Sequence, residues 1–169
     1  MNILSTALLL LTFPLVAPME TSAQKSIELT TLDENIVTAI QSKEPDWKYE
    51  KVSPITGSAD VILQQWTLEY LTVRIAIVSH RSNAEATKAM RDLVRVGQTT
   101  ERLQGLGDED GISWGRGTVS FRKRNLKIDV SAVDTHPTRD VTEVAKYVGD
   151  ERQLCKKFAW LVADAIKDK

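Results

Sequence analysis

Apolar and polar residues along this chain fall into two rhythms, one of period near four and one of period two. Leu32, Ile36 and Ile40 recur every four residues behind Thr31-Leu32-Asp33-Glu34, a capping-box pattern, and predict a helix from about Thr31 to Lys43 that stops before Pro45. Trp47 to Val52 alternates and predicts a strand, which Pro54 and Gly57 break. Val61 to Leu68 and Leu71 to Val78 read as two strands about a tight turn at Glu69-Tyr70, with Val73, Ile75 and Ile77 on one face; one long bent strand is the alternative.

Ser82-Asn83-Ala84-Glu85 is a second capping box, and Ala86, Ala89, Met90, Leu93 and Val94 follow at the spacing of a core-facing helix ended by Gly97. Glu101 to Gly117 is glycine-rich and acidic, and Gly111 to Gly115 within it reads as a glycine-flanked strand or bulge with Trp114 packed across it. Thr118 to Lys123 and Leu126 to Val133 then form a hairpin closed by Arg124-Asn125, because a two-residue turn sets Phe121 opposite Ile128 and Val119 opposite Val130. From Asp140-Val141-Thr142-Glu143 a last helix runs to about Lys167, with an interruption possible at Gly149-Asp150. Val144, Leu154, Phe158, Leu161, Val162, Ala165 and Ile166 share one side of it, and Trp160 falls nearly opposite.

Together these elements predict an α+β fold, an antiparallel sheet of about five to six strands with helices packed mainly on one face, after an N-terminal signal peptide. The signal is read from Ile3 to Val16, an apolar run too short to span a bilayer but suited to an export leader. Thr21 and Ala23 occupy the two small-residue positions of a cleavage site, so residues 1–23 are the leader, 24–169 one domain, and Gln24 the mature start. The product is expected to be exported, periplasmic or secreted, with no stable membrane span after cleavage.

Charge and cysteine content narrow the function. Loss of the leader removes Glu20 and no Lys or Arg, which turns the formal charge of −1 into zero. A neutral chain has no long-range field to draw it to nucleic acid, so nucleic acid is not an expected partner. Cys155 is the single cysteine, which excludes an internal disulfide and leaves no cysteine at the leader's end for a lipid anchor. Near the apolar stripe of the last helix, it reads as a buried, inert thiol.

Several constellations carry candidate chemistry. Gly111-Ile112-Ser113-Trp114-Gly115 matches the G-x-S-x-G nucleophile elbow, and Asp129 or Asp134 followed by His136 completes a hydrolase order. That elbow needs a helix to leave it, whereas a strand follows here. Asp108-Glu109-Asp110 form an acidic loop with weak calcium character; an EF-hand is excluded because Leu106 and Gly117 would hold its first and last ligand positions. His80, His136 and Cys155 lack the spacing of a zinc site. Arg122-Lys123-Arg124 makes a basic hairpin tip, read as a solvated hairpin end with contact to an acidic partner as the alternative, and Trp160 on the outer side of the last helix makes an interface anchor unless the first helix folds over it.

One resemblance can be drawn on these residues. Gly105-Leu106-Gly107-Asp108-Glu109, Trp114, Val119-Ser120-Phe121-Arg122-Lys123 and Asn125, with Trp66, Val73-Arg74-Ile75 and the Ser82-capped helix upstream, resemble the layout of exported bacterial α+β domains of unassigned function, over about Trp66 to Val133. Similar segments occur in some extracytoplasmic sensor domains and small lipoproteins. The chain departs from that layout in Asp110, where alanine is common, in Arg124, where a hairpin glycine is common, and in having no lipidation cysteine. The resemblance implies export and a modest α+β module, and it transfers no catalytic residue.

The reading favoured by the sequence is a non-catalytic binding or accessory module of the cell envelope, needing no cofactor or metal, that meets a protein or small ligand through Trp160, Arg122 and Arg124. The alternatives are a small serine hydrolase using Ser113, Asp134 or Asp129, and His136, and a structural envelope protein without a discrete ligand.

Overall fold

A computed structural model describes residues 22–54, 60–96, 99–115, 117–135 and 144–166. Their order is α1 (Ser22–Lys43), β1 (Lys48–Val52), β2 (Val61–Leu68), β3 (Leu71–Ser79), α2 (Asn83–Val96), β4 (Thr99–Leu103), β5 (Gly111–Trp114), β6 (Thr118–Lys123), β7 (Leu126–Asp134) and α3 (Val144–Ala165). The strands form one antiparallel sheet in the order β1-β2-β3-β7-β6-β5-β4. Among the described residues there are seven strands, above the expected five to six, because Thr99 to Leu103 adds β4 beside the strand read at Gly111 to Gly115, which is β5. Successive antiparallel pairings leave β3 and β4 running in the same direction, and α2 makes the crossover between them.

Alternation explains the centre of the sheet. Val73, Ile75 and Ile77 of β3, Ile128 and Val130 of β7, and Val119 and Phe121 of β6 are buried together, and the register sets Phe121 against Ile128 and Val119 against Val130 as expected. β2 and β3 are two strands closed at Glu69-Tyr70, not one bent strand. Both two-residue turns put their first residue in the left-handed region, Glu69 at φ 51° and Arg124 at φ 55°, where glycine is the less strained choice.

Helices α1 and α3 cover the face that carries these apolar residues. Phe158 of α3 meets Trp47 edge-on at 4.9 Å between centroids and Trp66 at 6.3 Å, so α1, α3 and β1–β2 share an aromatic centre. α2 lies on the other face. Ser120 points away from Val119 and Phe121 yet is fully buried; from that side the helix packed on β6 and β7 is α2, whose buried Ala86 and Met90 stand outside the main core. Two of three helices therefore share a face, and the crossover helix takes the opposite one.

The helix boundaries follow the sequence unevenly. α2 begins as expected: the Glu85 amide donates to Ser82 Oγ at 3.2 Å, and the Glu85 carboxylate accepts from the Arg81 amide at 3.1 Å. α1 is already helical at Ser22, so Thr31 to Glu34 lie inside it, and the expected start at Thr31 is corrected. α3 runs through Gly149 and Asp150 without a break. The expected start at Asp140 to Glu143 falls outside the described residues. Among the described residues no helix is long and apolar enough to cross a membrane.

Candidate functional site

The apolar stripe of α3 decides where Trp160 goes. Phe158, Ala159, Val162, Ala163 and Ile166 are buried against the sheet, which turns the indole outward and sideways over the β4–β5 end. Trp160 is 40% exposed, while Trp47 and Trp66 are buried and Trp114 is half-buried. α1 packs against α3 but does not fold over this side chain. One turn earlier, Lys156 Nζ bonds Glu101 of β4 at 2.7 Å, and in the last turn Lys123 Nζ donates to the Ala163 carbonyl at 3.2 Å. These two links hold α3 against the strands on either side of Trp160. Below the ring edge lies Gly105, at φ 75°; a Cβ there would meet Trp160 Cη2 at 4.0 Å and no other atom nearer.

Gly105 opens the acidic loop, and the loop is folded inward. Leu106 is fully buried in the main core. Gly107 sits at φ 84°, where a Cβ would collide with the Arg122 carbonyl oxygen, so only glycine lets the Asp108 amide donate to that oxygen at 2.9 Å. Asp108 Oδ2 then accepts from Arg122 Nη1 at 2.9 Å and from the Arg124 amide at 2.5 Å, while Glu109 Oε1 accepts from Arg122 Nη2 at 3.2 Å. Arg122 Nη1 also donates to the Arg124 carbonyl at 2.7 Å. Asp110 Oδ1 accepts from the Gly105 amide at 3.3 Å.

Two sequence readings change here. Arg122, expected on a solvated tip, is only 9% exposed and is ion-paired by the loop, because the loop doubles back over the hairpin end. Arg124 is half-buried with both main-chain polar groups engaged. The calcium candidates Asp108, Glu109 and Asp110 all have internal partners, and among the described residues no group of three or more metal-binding side chains occurs.

Ser113 lies within β5, opposite Val119, and therefore faces the apolar side of the sheet. It is 1% exposed and its Oγ has no partner. No elbow presents it, since β5 turns directly into β6. Asp129 is on the other face: its Oδ1 accepts from Ser120 Oγ at 2.5 Å, Ser120 Oγ accepts from Trp114 Nε1 at 2.9 Å, and Lys127 pairs with Oδ2. Asp134 lies four residues beyond Val130, roughly 13 Å along the strand; its amide donates to Glu151 Oε1 at 2.9 Å. His136 falls outside the described residues. Sequence reasoning singled out Ser113 in this motif and passed over Ser120, the serine that has a carboxylate partner.

A second polar cluster was also missed. Asp33, 5% exposed, accepts from Gln64 Nε2 at 2.7 Å and pairs with Lys51 at 3.2 Å, and Gln64 Oε1 accepts from Trp66 Nε1 at 3.1 Å. Tyr49 OH points at the same carboxylate at 3.5 Å; burial, followed by the Asp33 charge, pushes its pKa up to about 12. The signal was available, for Gln64 alternates with Ile62 and Trp66, and Asp33 stands three residues before Ile36 on the buried side of α1. Cys155 matches its reading as a buried thiol: Sγ donates to the Gly117 carbonyl at 2.8 Å, and burial pushes its pKa up to about 12.

The arrangement places one solvent-facing aromatic anchor on a helix with a glycine under its ring edge, whereas the titratable clusters are consumed by internal pairing. Compared with known protein families, curated proteins and solved structures, the chain matches none of them.

Proposed function

We propose that this protein is an exported, non-catalytic binding or accessory module of a bacterial cell envelope, which meets a protein or small ligand through the surface around Trp160. One observation carries the reading: an indole on a fixed helix stays 40% exposed although an apolar core lies one helical position away. A tryptophan held rigid at the surface supplies large contact area at little entropic cost, as interface anchors do. The inward pairing of Arg122 leaves Trp160 as the centre of the surface, with Lys156 and Glu101 at its border. Export rests on the apolar leader and on the Thr21/Ala23 cleavage site. A cut after Ala23 removes only the first two residues of α1 and spares Leu29, Ile36 and Ile40, which hold that helix to the core.

Pull-down from envelope extract with wild type, Trp160→Ala and Ser113→Ala tests the binding surface. Recovery lost with Trp160→Ala and kept with Ser113→Ala supports it; equal recovery from all three removes Trp160 as the anchor. Labelling of Ser113 by a fluorophosphonate probe would instead establish the hydrolase alternative. Mass spectrometry of the native protein tests export, with Gln24 as the expected first residue and intact Met1 on cytosolic material as the contrary result.

A further inference from the structure

We infer that Arg122 is a positioning residue for the Trp160 surface, acting through the Gly105–Asp110 loop as a strap across the end of the sheet. The inference rests on the reading of Trp160 as the binding surface and assigns that surface its control point. Register puts the strap's two attachments on opposite faces. Phe121 faces the apolar core, so Arg122 beside it faces the α2 side, and there Asp108 and Glu109 grip its guanidinium. Leu106 enters the apolar core on the α3 side, and Gly105 lies under the Trp160 ring edge. Between the two attachments the chain has almost no slack. Gly107 rests on the Arg122 carbonyl so closely that a methyl group would not fit, and a Cβ on Gly111 would fall 2.6 Å from Leu106 Cδ2.

A short, closely packed strap transmits a shift at one end to the other. Loss of the grip on Arg122 frees Glu109 and leaves Asp108 on the Arg124 amide and the Arg122 carbonyl, a weaker hold that lets Gly105 and Leu106 move beneath Trp160. The indole itself stays fixed by α3. What changes is the floor next to it, and hence the shape a partner meets. The carboxylates of the grip are partly exposed, Asp108 by 30% and Glu109 by 55%, so solvent and salt reach it, whereas the plug at Leu106 is dry.

The test uses the full mature protein with 5-fluorotryptophan, whose four indole signals are assigned by single Trp→Phe changes. Arg122→Met removes the grip while keeping an apolar stem of similar length, and Asp108→Asn with Glu109→Gln removes it from the loop side. The expected result in each is amide exchange at Gly105, Leu106 and Asp108 faster by about tenfold or more, unchanged exchange at Ile75, Ile128 and Val130, and a shifted Trp160 fluorine signal with Trp47 and Trp66 unmoved. Arg122→Lys, which keeps the charge but not the fork, should fall between wild type and Arg122→Met. Unchanged loop exchange overturns the strap. Faster loop exchange with an unmoved Trp160 signal overturns the coupling. Failure of both variants to fold also overturns it, because the grip would then serve the whole fold. None of these readouts requires a partner, so they stand apart from the pull-down: a moved Trp160 signal with no partner recovered would leave the strap intact and the binding reading wrong.

Discussion

The two faces of the sheet hold their helices by different means. On the α1/α3 face, Trp47, Trp66, Phe121, Phe158, Ile36, Ile40 and the central strand residues form one continuous apolar cluster, with Asp33 and Gln64 as a polar knot inside it. On the α2 face, among the described residues, the buried apolar side chains are Ala86, Met90 and Ile112, and a ladder of Trp114, Ser120, Asp129 and Lys127 occupies the centre. Apolar burial is non-directional and tolerates small adjustments, whereas a buried polar ladder keeps its value only while every member is paired. The first face therefore supplies most of the stability, and the second fixes how the crossover helix sits.

Truncation should expose that division most sharply. Phe158→Ala should cost about 3–5 kcal/mol by urea denaturation, since it empties the junction of α1, α3 and β2, while Met90→Ala on the other face should cost about 2 kcal/mol, at the low end for such a change. Equal losses would erase the distinction between the faces. Ser120→Ala comes next, at about 1–3 kcal/mol, because Trp114 Nε1 loses its acceptor and Asp129 its donor. An unchanged denaturation midpoint would mean that the ladder is replaceable by water.

A rise in pH acts on the α1/α3 face. Tyr49 and Cys155 both lie there, with pKa values raised from 10.0 and 9.0 to about 12, so the folded protein keeps protons that the unfolded chain gives up. Their contribution to stability should be fully present below about pH 9 and be lost as pH climbs towards 12. Urea midpoints at several alkaline pH values measure this, and Tyr49→Phe should soften the decline; a midpoint independent of pH would contradict the burial of both groups. The smallest effect is expected of Ser113→Ala. Its Oγ is buried without a partner, so removal should leave stability within about 0.5 kcal/mol of wild type or raise it slightly. A large loss would show that Ser113 has a bond through a water.

Legibility in the sequence followed the range of the interaction. The β6–β7 hairpin was readable in its register, with β7 running one residue past the expected end to Asp134, because that register depends on a two-residue turn and on alternation between neighbouring positions. The Ser82 cap on α2 was readable for the same reason. β5 was readable as a glycine-flanked strand or bulge at Gly111 to Gly115, whereas β4 was not, since Thr99 to Leu103 is short and has little alternation of apolar residues. Trp160 was readable as an outward residue, because helical phase against Phe158 and Val162 is a local property. Arg122 was misplaced as solvated, since nothing local indicates that a loop 13 or 14 residues earlier will return to grip it.

The sequence by itself determined the α+β class, the faces of β3, β6 and β7, the capped start of α2 and the outward phase of Trp160. All of these are set by periodicities and turns that act over a few residues. Only the tertiary structure decided that Asp33 meets Gln64, 31 residues away, that the acidic loop closes on Arg122, and that α2 crosses on the face opposite α1 and α3. Such pairings depend on the path of the whole chain, and a buried charge finds its partner only where that path brings one.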